Sequence, residues 1–352
     1  MKGLWGAVFI FSVMLAAGIS FTLAYGNRAV SAKANPGVTA PAASNGQPLP
    51  VSGRRLRITV IPKGTTHVFW KSVQAGAIKA AQELGVDMVW QGPHVENERK
   101  QQIEVVQNAV SRGTDGVVLA PLDDTALVRP VAAAVERGIK AVIIDSALKY
   151  DNIVSFVATD NRAGGRLGAQ RLAQIMGGTG RVLLLRYEEG SASTTEREEG
   201  FLEGLASAAP GIQLLSTNQY GGVTAESAFQ AAQNLLNLHG AAIDGIFCPN
   251  ESTAFGMLRA LTTAGKAGVI KFVGFDSSEP LVKGLRDGHI QGLVVQDPMN
   301  MGYLGVKALV AALQGKPVEP RIDTGARMIT PENMDEPAMR NLLSPDLAPG
   351  TP

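Results

Sequence analysis

An apolar run that ends in Asp-Ser occurs twice in this chain. The first run is Ala141-Val-Ile-Ile-Asp-Ser146, and the second is Lys271-Phe-Val-Gly-Phe-Asp-Ser277. The carboxylates at the ends of the two runs are Asp145 and Asp276. Because open α/β sheets bind ligands just beyond the carboxyl ends of their strands, an acid at this point is well placed to meet a ligand. The repeat predicts two similar α/β lobes, each with one acid facing a shared cleft.

A second pair of strand candidates repeats at nearly the same separation along the chain. Asp115-Gly-Val-Val-Leu-Ala-Pro121 is matched by Asp244-Gly-Ile-Phe-Cys-Pro249. Continuous apolar runs of this kind are typical of parallel strands that are covered on both faces. The strand candidates are 56–61, 86–90, 116–120, 141–144, 154–158, 181–185, 212–216, 245–248, 271–275 and 291–295, and the helical segments between them are 68–84, 98–112, 125–137, 162–176, 195–208, 224–238, 251–264, 279–287 and 300–314. This alternation indicates right-handed βαβ units, so we predict an α/β fold of two doubly wound parallel-sheet lobes.

Length and composition suit such a fold. The chain of 352 residues is long enough for two lobes, at roughly 150 residues per domain. The formal net charge is +1, with 32 basic and 31 acidic residues, so the charge balance favours neither nucleic acid nor an anionic membrane surface as a partner. Cys248 is the sole cysteine, which rules out a disulfide within the chain, and its apolar neighbours predict a buried side chain.

The segment 1–34 is predicted to be a secretory signal peptide. Lys2 precedes an apolar stretch from Leu4 to about Ala24, and the small residues of Ala29-Val-Ser-Ala-Lys-Ala34 offer a cleavage site. An uncleaved membrane anchor is the alternative, since the apolar stretch is just long enough to span a bilayer. Residues 35–53, rich in Pro, Gly, Ser and Ala, are predicted to be a flexible tether, and residues 341–352 a flexible tail.

Sequence motifs for nucleotide, acyl-transfer or metal chemistry do not occur in the chain. The glycine-rich segment Gly177-Gly-Thr-Gly180 precedes a strand candidate, so it cannot place a helix N-terminus on a phosphate. Neither a Walker sequence nor a Gly-x-Ser-x-Gly elbow is found, and the four histidines lack metal-ligand spacing. We therefore expect no metal, no cofactor and no enzymatic activity.

Phe69 and Trp70 are adjacent in a chain in which only 5% of residues are aromatic. Neighbours on a helix point in different directions, so at most one of the two belongs to the deep core, and the other can form a flat apolar wall. Such a wall suits a sugar ring, which has apolar faces and a polar rim. Asp145 and Asp276 can accept hydrogen bonds from sugar hydroxyls, and Arg197 presents five donors. The alternatives are that the aromatic residues only anchor a helix and that each aspartate only caps one.

The chain resembles the periplasmic sugar-binding proteins of ABC importers, in the ribose-binding-protein-like group of type I periplasmic binding proteins. The resemblance covers about residues 55–340 and rests on the order in which a series of segments occurs. The segments are Phe69-Trp-Lys-Ser72, Gly76-Ala-Ile-Lys-Ala-Ala-Gln-Glu-Leu-Gly85, Asp115-Gly-Val-Val-Leu-Ala-Pro121, Val142-Ile-Ile-Asp-Ser146, Thr159-Asp-Asn-Arg-Ala-Gly-Gly165, Arg197-Glu-Glu-Gly-Phe201, Asp244-Gly-Ile-Phe-Cys-Pro-Asn250, Val273-Gly-Phe-Asp276 and Val294-Val-Gln-Asp-Pro298.

The resemblance implies a ligand site and a hinge. The ligand contacts of the group fall on Phe69, Trp70, Asp145, Arg197, Asn250, Asp276 and Gln296, with His67 and Tyr220 at further positions of the cleft. The chain is expected to cross between the lobes three times, near Asp160–Asn161, Gln296–Asp297 and Arg321–Asp323. This three-crossover hinge divides the chain into an N-terminal lobe of residues 54–160 and 297–322 and a C-terminal lobe of residues 161–296 and 323–340.

Two positions depart from the ribose binders of this group. Ser146 follows the first-lobe acid where ribose binders typically carry Arg, and Lys63 follows the first strand where they have a hydroxyl. The pair of Ile61-Pro-Lys63 with Asp-Ser is similar to a branch that binds rhamnose or a furanosyl quorum signal, although that branch lacks the second-lobe ligand set. We therefore expect Lys63, Asp145 and Ser146 to set the sugar preference.

The resemblance implies that a monomeric protein captures a monosaccharide or polyol in the periplasm, delivers it to an ABC permease and binds no nucleic acid. A sugar-sensing role, as a chemoreceptor or signalling partner, and quorum-signal binding are alternatives that use the same closed form. A transcription regulator of this fold would carry a helix-turn-helix where this chain has its apolar segment and tether. A glycosidase with Asp145 and Asp276 as its acid pair is a further alternative, which turnover of glycosides would reveal.

Overall fold

The computed structural model describes residues 54–345. The predicted signal peptide of residues 1–34 and the predicted tether of residues 35–53 lie outside the described residues, as do residues 346–352 of the predicted tail. Within the described part of the chain, no helix is both long enough and apolar enough to cross a membrane.

Strands and helices alternate along the described chain. The first part contains β1 (Arg57–Ile61), α1 (Val68–Leu84), β2 (Asp87–Trp90), α2 (Arg99–Ser111), β3 (Gly116–Leu119), α3 (Val128–Glu136), β4 (Lys140–Ile144) and β5 (Ser155–Ala158). The middle part contains α4 (Asn161–Met176), β6 (Thr179–Arg186), α5 (Ala192–Ala208), β7 (Gly211–Tyr220), α6 (Ala225–His239), β8 (Gly245–Phe247), α7 (Glu251–Thr263), β9 (Lys271–Phe275), α8 (Glu279–Arg286) and β10 (Gly292–Gln296). The last part contains α9 (Pro298–Leu313), β11 (Arg321–Asp323), β12 (Ala326–Ile329) and α10 (Pro337–Leu343).

The strands form two six-stranded sheets. The first sheet has the order β11-β5-β4-β3-β1-β2, and all of its strand pairs are parallel. The second has the order β12-β10-β9-β8-β6-β7 and is parallel except for the β10–β12 pair. Helices α1, α2, α3 and α9 complete the first lobe, and α4 to α8 with α10 complete the second. The predicted fold class, with two doubly wound parallel-sheet lobes joined by three crossovers, is confirmed.

Equivalent strands of the two lobes carry the repeated Asp-Ser end. β4 lies between β3 and β5 in the first sheet, and β9 lies between β8 and β10 in the second. Asp145 follows β4 directly and Asp276 follows β9 directly. The strand order reverses between β1 and β3 and between β6 and β8, and ligands of open α/β sheets bind beyond such reversals. The topology therefore places both acids at the carboxyl ends of central strands, where a ligand is expected.

Aspartates stand at all three crossings between the lobes. The carboxylate of Asp160, which joins β5 to α4, accepts a hydrogen bond from Ala163 N at 2.8 Å. The carboxylate of Asp297, which joins β10 to α9, accepts one from Asn300 N at 2.9 Å. At the third crossing, Asp323 Oδ1 accepts a hydrogen bond from Asp160 N at 3.1 Å. Helix caps therefore hold the ends of two crossings, and Asp323 ties the third crossing to the first.

Glycines allow one pair of helices in each lobe to pack closely. A Cβ on Gly76 of α1 would lie 1.8 Å from the carbonyl oxygen of Met299 in α9. A Cβ on Gly165 of α4 would lie 2.0 Å from the carbonyl oxygen of Arg197 in α5. Both distances are far below van der Waals contact, so only glycine fits. The α4–α5 contact also sets the backbone position of Arg197.

The structure differs from the sequence prediction in the C-terminal part of the chain and in β7. β11 and β12 are only 3 and 4 residues long and mix polar with apolar side chains, so they lack the apolar run that marks a strand. α10 extends to the buried Leu343, which corrects the prediction that a flexible tail begins at residue 341. β7 continues past Ser216, its predicted end, to Tyr220.

Candidate ligand-binding site

Asp145 and Asp276 both adopt the left-handed backbone conformation, with φ values of 62° and 66°. Among residues 54–345, they are the only non-glycine residues with a positive φ. Such a conformation costs of order 1–3 kcal/mol for most residues, although the short polar side chain of Asp tolerates it better than others do. Both side chains are buried. Backbone strain at equivalent strand ends of two lobes indicates a functional site.

Lys63 pairs with Asp145 and also reaches the second lobe. Its ammonium nitrogen lies 2.9 Å from Asp145 Oδ2. It donates to Ser193 Oγ at 3.1 Å and to Ser191 Oγ at 3.3 Å, both at the start of α5. These three acceptors engage all three donors of the ammonium, so Lys63 fixes Asp145 and links the lobes. A carboxylate has about four acceptor positions, so Asp145 keeps capacity for ligand hydroxyls.

Asp276 is held within the second lobe by neutral donors and by a nearby arginine. Gln296 Nε2 donates to Asp276 Oδ1 at 2.7 Å, and Glu251 N donates to Oδ2 at 3.2 Å. Arg197 Nη1 lies 3.8 Å from Asp276 Oδ2. Burial raises the pKa of Asp276, the Arg197 charge opposes this rise, and the charge of Asp145 adds to it. The two aspartates are therefore close enough to influence each other across the cleft.

In the described part of the chain, two of the three nitrogens of the Arg197 guanidinium are hydrogen-bonded, and the third is not. Nε donates to Asn161 Oδ1 at 2.8 Å and Nη1 donates to Pro249 O at 3.1 Å, while Cζ lies 4.0 Å from the centre of the Phe275 ring. Within residues 54–345, Arg197 Nη2 and Gln296 Oε1 are buried and have no hydrogen-bond partner. Leaving such a group unpaired costs roughly 1–3 kcal/mol. Beside Asp276, the Arg197 donor and the Gln296 acceptor can therefore each form a hydrogen bond with a ligand.

The aromatic pair forms one wall of the cleft. Trp70 is only 2% exposed and belongs to the first-lobe core, whereas Phe69 is partly buried. Their ring centroids are 4.9 Å apart, with the ring planes at 87°. The Trp70 indole Nε1 donates to Glu96 Oε1 at 2.7 Å. Trp70 is thus the deeper of the two rings, and a hydrogen bond at its polar end fixes its orientation.

Nine of the eleven predicted ligand residues line one cleft. They are Lys63, His67, Phe69, Trp70, Asp145, Arg197, Asn250, Asp276 and Gln296. Asn250 also caps α7, because its Oδ1 accepts a hydrogen bond from Thr253 N at 3.4 Å. Residues that lie at the carboxyl ends of different strands and in both lobes therefore converge on one space.

Tyr220 and Ser146 are not among the residues that line this cleft. Tyr220 ends β7, an edge strand, and is 46% exposed, so the expectation that it lines the cleft is wrong. Ser146 is buried, and its Oγ accepts a hydrogen bond from Ser193 N of the second lobe at 3.0 Å. Ser146 therefore contacts the other lobe instead of the empty space.

The structure adds five residues to the cleft that were not predicted from the sequence. They are Glu96, Tyr187, Ser193, Thr194 and Glu251. Glu251 is next to the predicted ligand residue Asn250 in the sequence. Ser193 and Thr194 lie in the first turn of α5, the helix that carries Arg197. These three residues could therefore have been found from the predicted ligand residues near them in the sequence. Glu96 and Tyr187 lie in irregular loops after β2 and β6, where no periodic pattern marks them.

His67 and Glu96 form an ion pair at the cleft, with His67 Nδ1 2.8 Å from Glu96 Oε1. Burial alone lowers the pKa of His67, but the hydrogen bond and charge of Glu96 outweigh it and raise the pKa to about 9. Burial alone raises the pKa of Glu96, but the hydrogen bond and charge of His67 outweigh it and lower the pKa to about 2. Both partners are therefore charged at neutral pH.

We expect the folded protein to lose stability as the pH rises from 6.5 to about 9, because His67 then loses its proton. A raised pKa stabilises the fold in full below the ordinary value and no longer does so above the raised one. The contribution of Glu96 is lost only on the acid side, between pH 4.5 and about 2.

Urea denaturation across the alkaline range measures this loss of stability. His67→Gln should remove this fall, whereas His94→Gln, at an exposed position of the loop that carries Glu96, should keep it. The reverse pattern would contradict the assignment.

The chain matches the family model described as a periplasmic binding protein domain over residues 58–317. The ribose import binding protein of Salmonella typhimurium is 29% identical over 272 residues, which cover 77% of this chain and 90% of that protein. The D-allose-binding periplasmic protein of Escherichia coli is 29% identical over 269 residues, which cover 74% of this chain and 86% of that protein.

Solved structures of transport proteins share the fold. An ABC transporter solute-binding protein from Agrobacterium vitis with bound D-fucose is 36% identical, with a TM-score of 0.79, and the match covers 82% of this chain and 100% of that one. A carbohydrate transporter solute-binding protein from Agrobacterium radiobacter in complex with D-arabinose is 32% identical, with a TM-score of 0.79, and the match covers 82% and 99%. Fold, cleft and relatives agree, and the chain belongs to the periplasmic binding protein family, in its ribose-binding-like group of sugar-binding proteins of ABC importers.

Proposed function

We propose that this protein captures a monosaccharide or related polyol between its two lobes and delivers it to an ABC permease. The observation that carries the proposal is the pair of buried aspartates, Asp145 and Asp276, one from each lobe, at the same cleft. The relatives support it, since those named above are described as binding ribose, D-allose, D-fucose and D-arabinose.

The polar groups of the cleft suit hydroxyls. A hydroxyl both donates and accepts, so a sugar can donate to the two aspartates and can satisfy the open donor of Arg197 and the open acceptor of Gln296. The aromatic wall of Phe69 and Trp70 suits the apolar face of a sugar ring. Specificity then depends on the hydroxyl pattern, because an analogue that lacks a hydroxyl leaves a buried group unpaired.

We further propose that the lobes close on the sugar by bending at the three crossings, around Asp160, Asn161 and Asp297 and near Asp323. The short connections at these points, with capped helix ends, suit a hinge that moves two rigid lobes. A sugar that contacts both lobes favours the closed form only through its higher affinity for that form.

The remaining properties follow from the same proposal. The segment 1–34 acts as a cleaved export signal, and the mature protein works in the periplasm as a monomer. It binds no nucleic acid and does not turn over its ligand. Incubation with monosaccharides and glycosides tests the last point, because a binding protein returns the sugar unchanged and a glycosidase with Asp145 and Asp276 as its acid pair does not.

A thermal-shift screen against pentoses, hexoses, deoxyhexoses and polyols tests the function. A ligand that binds only the native state stabilises it by RT ln(1 + [L]/Kd), so its melting temperature rises with ligand concentration. We expect a rise that grows with ligand concentration for at least one monosaccharide or polyol. The absence of a shift across the whole panel would contradict the proposal.

Binding of the sugar should change the fluorescence of Trp70. The indole lines the cleft and is held by Glu96, so a ring placed against it alters its surroundings. The measurement uses the protein without segment 1–34, which contains Trp5, and with Trp90 replaced by Phe, so that Trp70 is the single tryptophan. An unchanged emission spectrum at saturating sugar would contradict contact between the ligand and this wall.

A further inference from the structure

Glu96 makes three short hydrogen bonds that converge from both lobes. Its Oε1 accepts from Trp70 Nε1 at 2.7 Å and lies 2.8 Å from His67 Nδ1, both in the first lobe. Its Oε2 accepts from the Tyr187 hydroxyl of the second lobe at 2.7 Å. One carboxylate therefore joins the aromatic wall of the cleft to the opposite lobe.

The surroundings of Glu96 make these bonds strong. Glu96 is 9% exposed and Tyr187 is 2% exposed, so water does not compete for the bonds. Hydrogen bonds to an ionised group are about twice as strong as those between neutral groups. Burial raises the pKa of Tyr187, and the charge of Glu96 raises it further, so the phenol stays a neutral donor.

The loop between β6 and α5, which contains Tyr187, makes further hydrogen bonds to the first lobe. Arg99 Nη2 donates to Glu189 O at 2.6 Å, and Asp124 N donates to Gly190 O at 3.1 Å. Lys63 donates to the serines at positions 191 and 193, as described above. The loop between β6 and α5 thus meets the first lobe along its length, and Tyr187 is its innermost contact with the cleft.

We propose that Glu96 is a positioning residue of the sugar site whose bonding is completed only when the lobes close. One oxygen orients Trp70 and His67 in the first lobe, and the other receives Tyr187 when the second lobe arrives. This inference rests on the proposed function. It assigns a role to the protein's own cross-lobe bond, separate from the bonds that the sugar makes.

The role predicts a specific kinetic effect. The Tyr187–Glu96 bond forms after the sugar has entered the open cleft, so its loss should leave the association rate constant unchanged. The closed form should open more readily, and sugar dissociation should become about tenfold faster, which weakens affinity about tenfold. A general loss of stability would not raise the dissociation rate constant while leaving the association rate constant unchanged.

Tyr187→Phe tests the proposal, with Tyr303→Phe as its matched control. Tyr303 donates to Glu83 Oε2 at 2.7 Å, so the control also removes a Tyr–Glu hydrogen bond, but both partners lie in the first lobe and outside the cleft. Stopped-flow fluorescence with the sugar that gives the largest thermal shift measures both rate constants. We expect faster dissociation in Tyr187→Phe and parental rate constants in Tyr303→Phe.

A double-variant cycle with Glu96→Leu identifies the partner. In the Glu96→Leu background, the added change Tyr187→Phe should have no further effect on dissociation, because the acceptor is already gone. Should Glu96→Leu fail to fold, the comparison of Tyr187→Phe with Tyr303→Phe still decides the question. Parental dissociation in Tyr187→Phe overturns this inference and leaves the proposed function intact. A parent protein that binds no sugar overturns both.

Discussion

Asp276→Asn should weaken sugar binding at least 100-fold while the protein stays folded. The substitution keeps the size of the side chain and suits the left-handed backbone, which Asn tolerates as Asp does. It removes the carboxylate that accepts from Gln296 and faces Arg197, and it halves the acceptor capacity offered to the sugar. Two sugar hydroxyls that lose a charged acceptor in the buried cleft account for about 3 kcal/mol, which corresponds to a loss of about 100-fold.

Calorimetric titration of the variant and its parent measures this effect. Asp244→Asn is the control, because Asp244 is a second-lobe aspartate that is bonded to Arg181 at an exposed site outside the cleft. The control should bind sugar as the parent does. Parental affinity in Asp276→Asn would show that the second-lobe acid does not hold the ligand.

Gly165→Ala should destabilise the protein by about 3 kcal/mol and weaken sugar binding at the same time. The new methyl group would lie 2.0 Å from the Arg197 carbonyl oxygen and 2.7 Å from Phe201 N, both backbone atoms that cannot move alone. Helices α4 and α5 must therefore separate. The separation carries Arg197 away from Asp276, so the packing defect reaches the ligand site.

Gly284→Ala is the matched control for this packing argument. Gly284 is also helical, but its added Cβ would meet only side-chain carbons, the nearest being Leu258 Cδ2 at 2.9 Å. Alanine favours a helix over glycine by about 1 kcal/mol, which offsets the small adjustment. Urea denaturation and sugar titration of both variants separate the cases. Equal stability of the two variants would contradict the account of the α4–α5 contact.

The sequence predicted most of the fold because the buried strands of a doubly wound sheet are continuous apolar runs. All ten predicted strands are present, with ends that differ by a few residues. β11 and β12 escaped prediction because they are short, partly exposed edge strands. β7 is longer than predicted, and this extension carries Tyr220 to an exposed position at the edge of the sheet instead of the cleft.

The site was predictable where its residues directly follow central strands. Asp145 and Asp276 do so in equivalent positions, and the repeat in the sequence exposed them. Glu96 lies in an irregular loop after the edge strand β2, and only the folded chain brings it to Tyr187. The hydrogen bonds from Lys63 to Ser191 and Ser193 likewise depend on the tertiary structure, because the serines are distant in the sequence and no local pattern encodes the contact.

The central claim is that one aspartate from each lobe holds a sugar in the cleft, and a calorimetric titration of the parent and Asp145→Asn tests it most directly. The ligand is the monosaccharide or polyol with the largest thermal shift. We predict one saturable site per chain in the parent and a loss of affinity of at least about 100-fold in the variant. Parental affinity in Asp145→Asn, or the absence of saturable binding in the parent for every sugar and polyol tested, would contradict the claim.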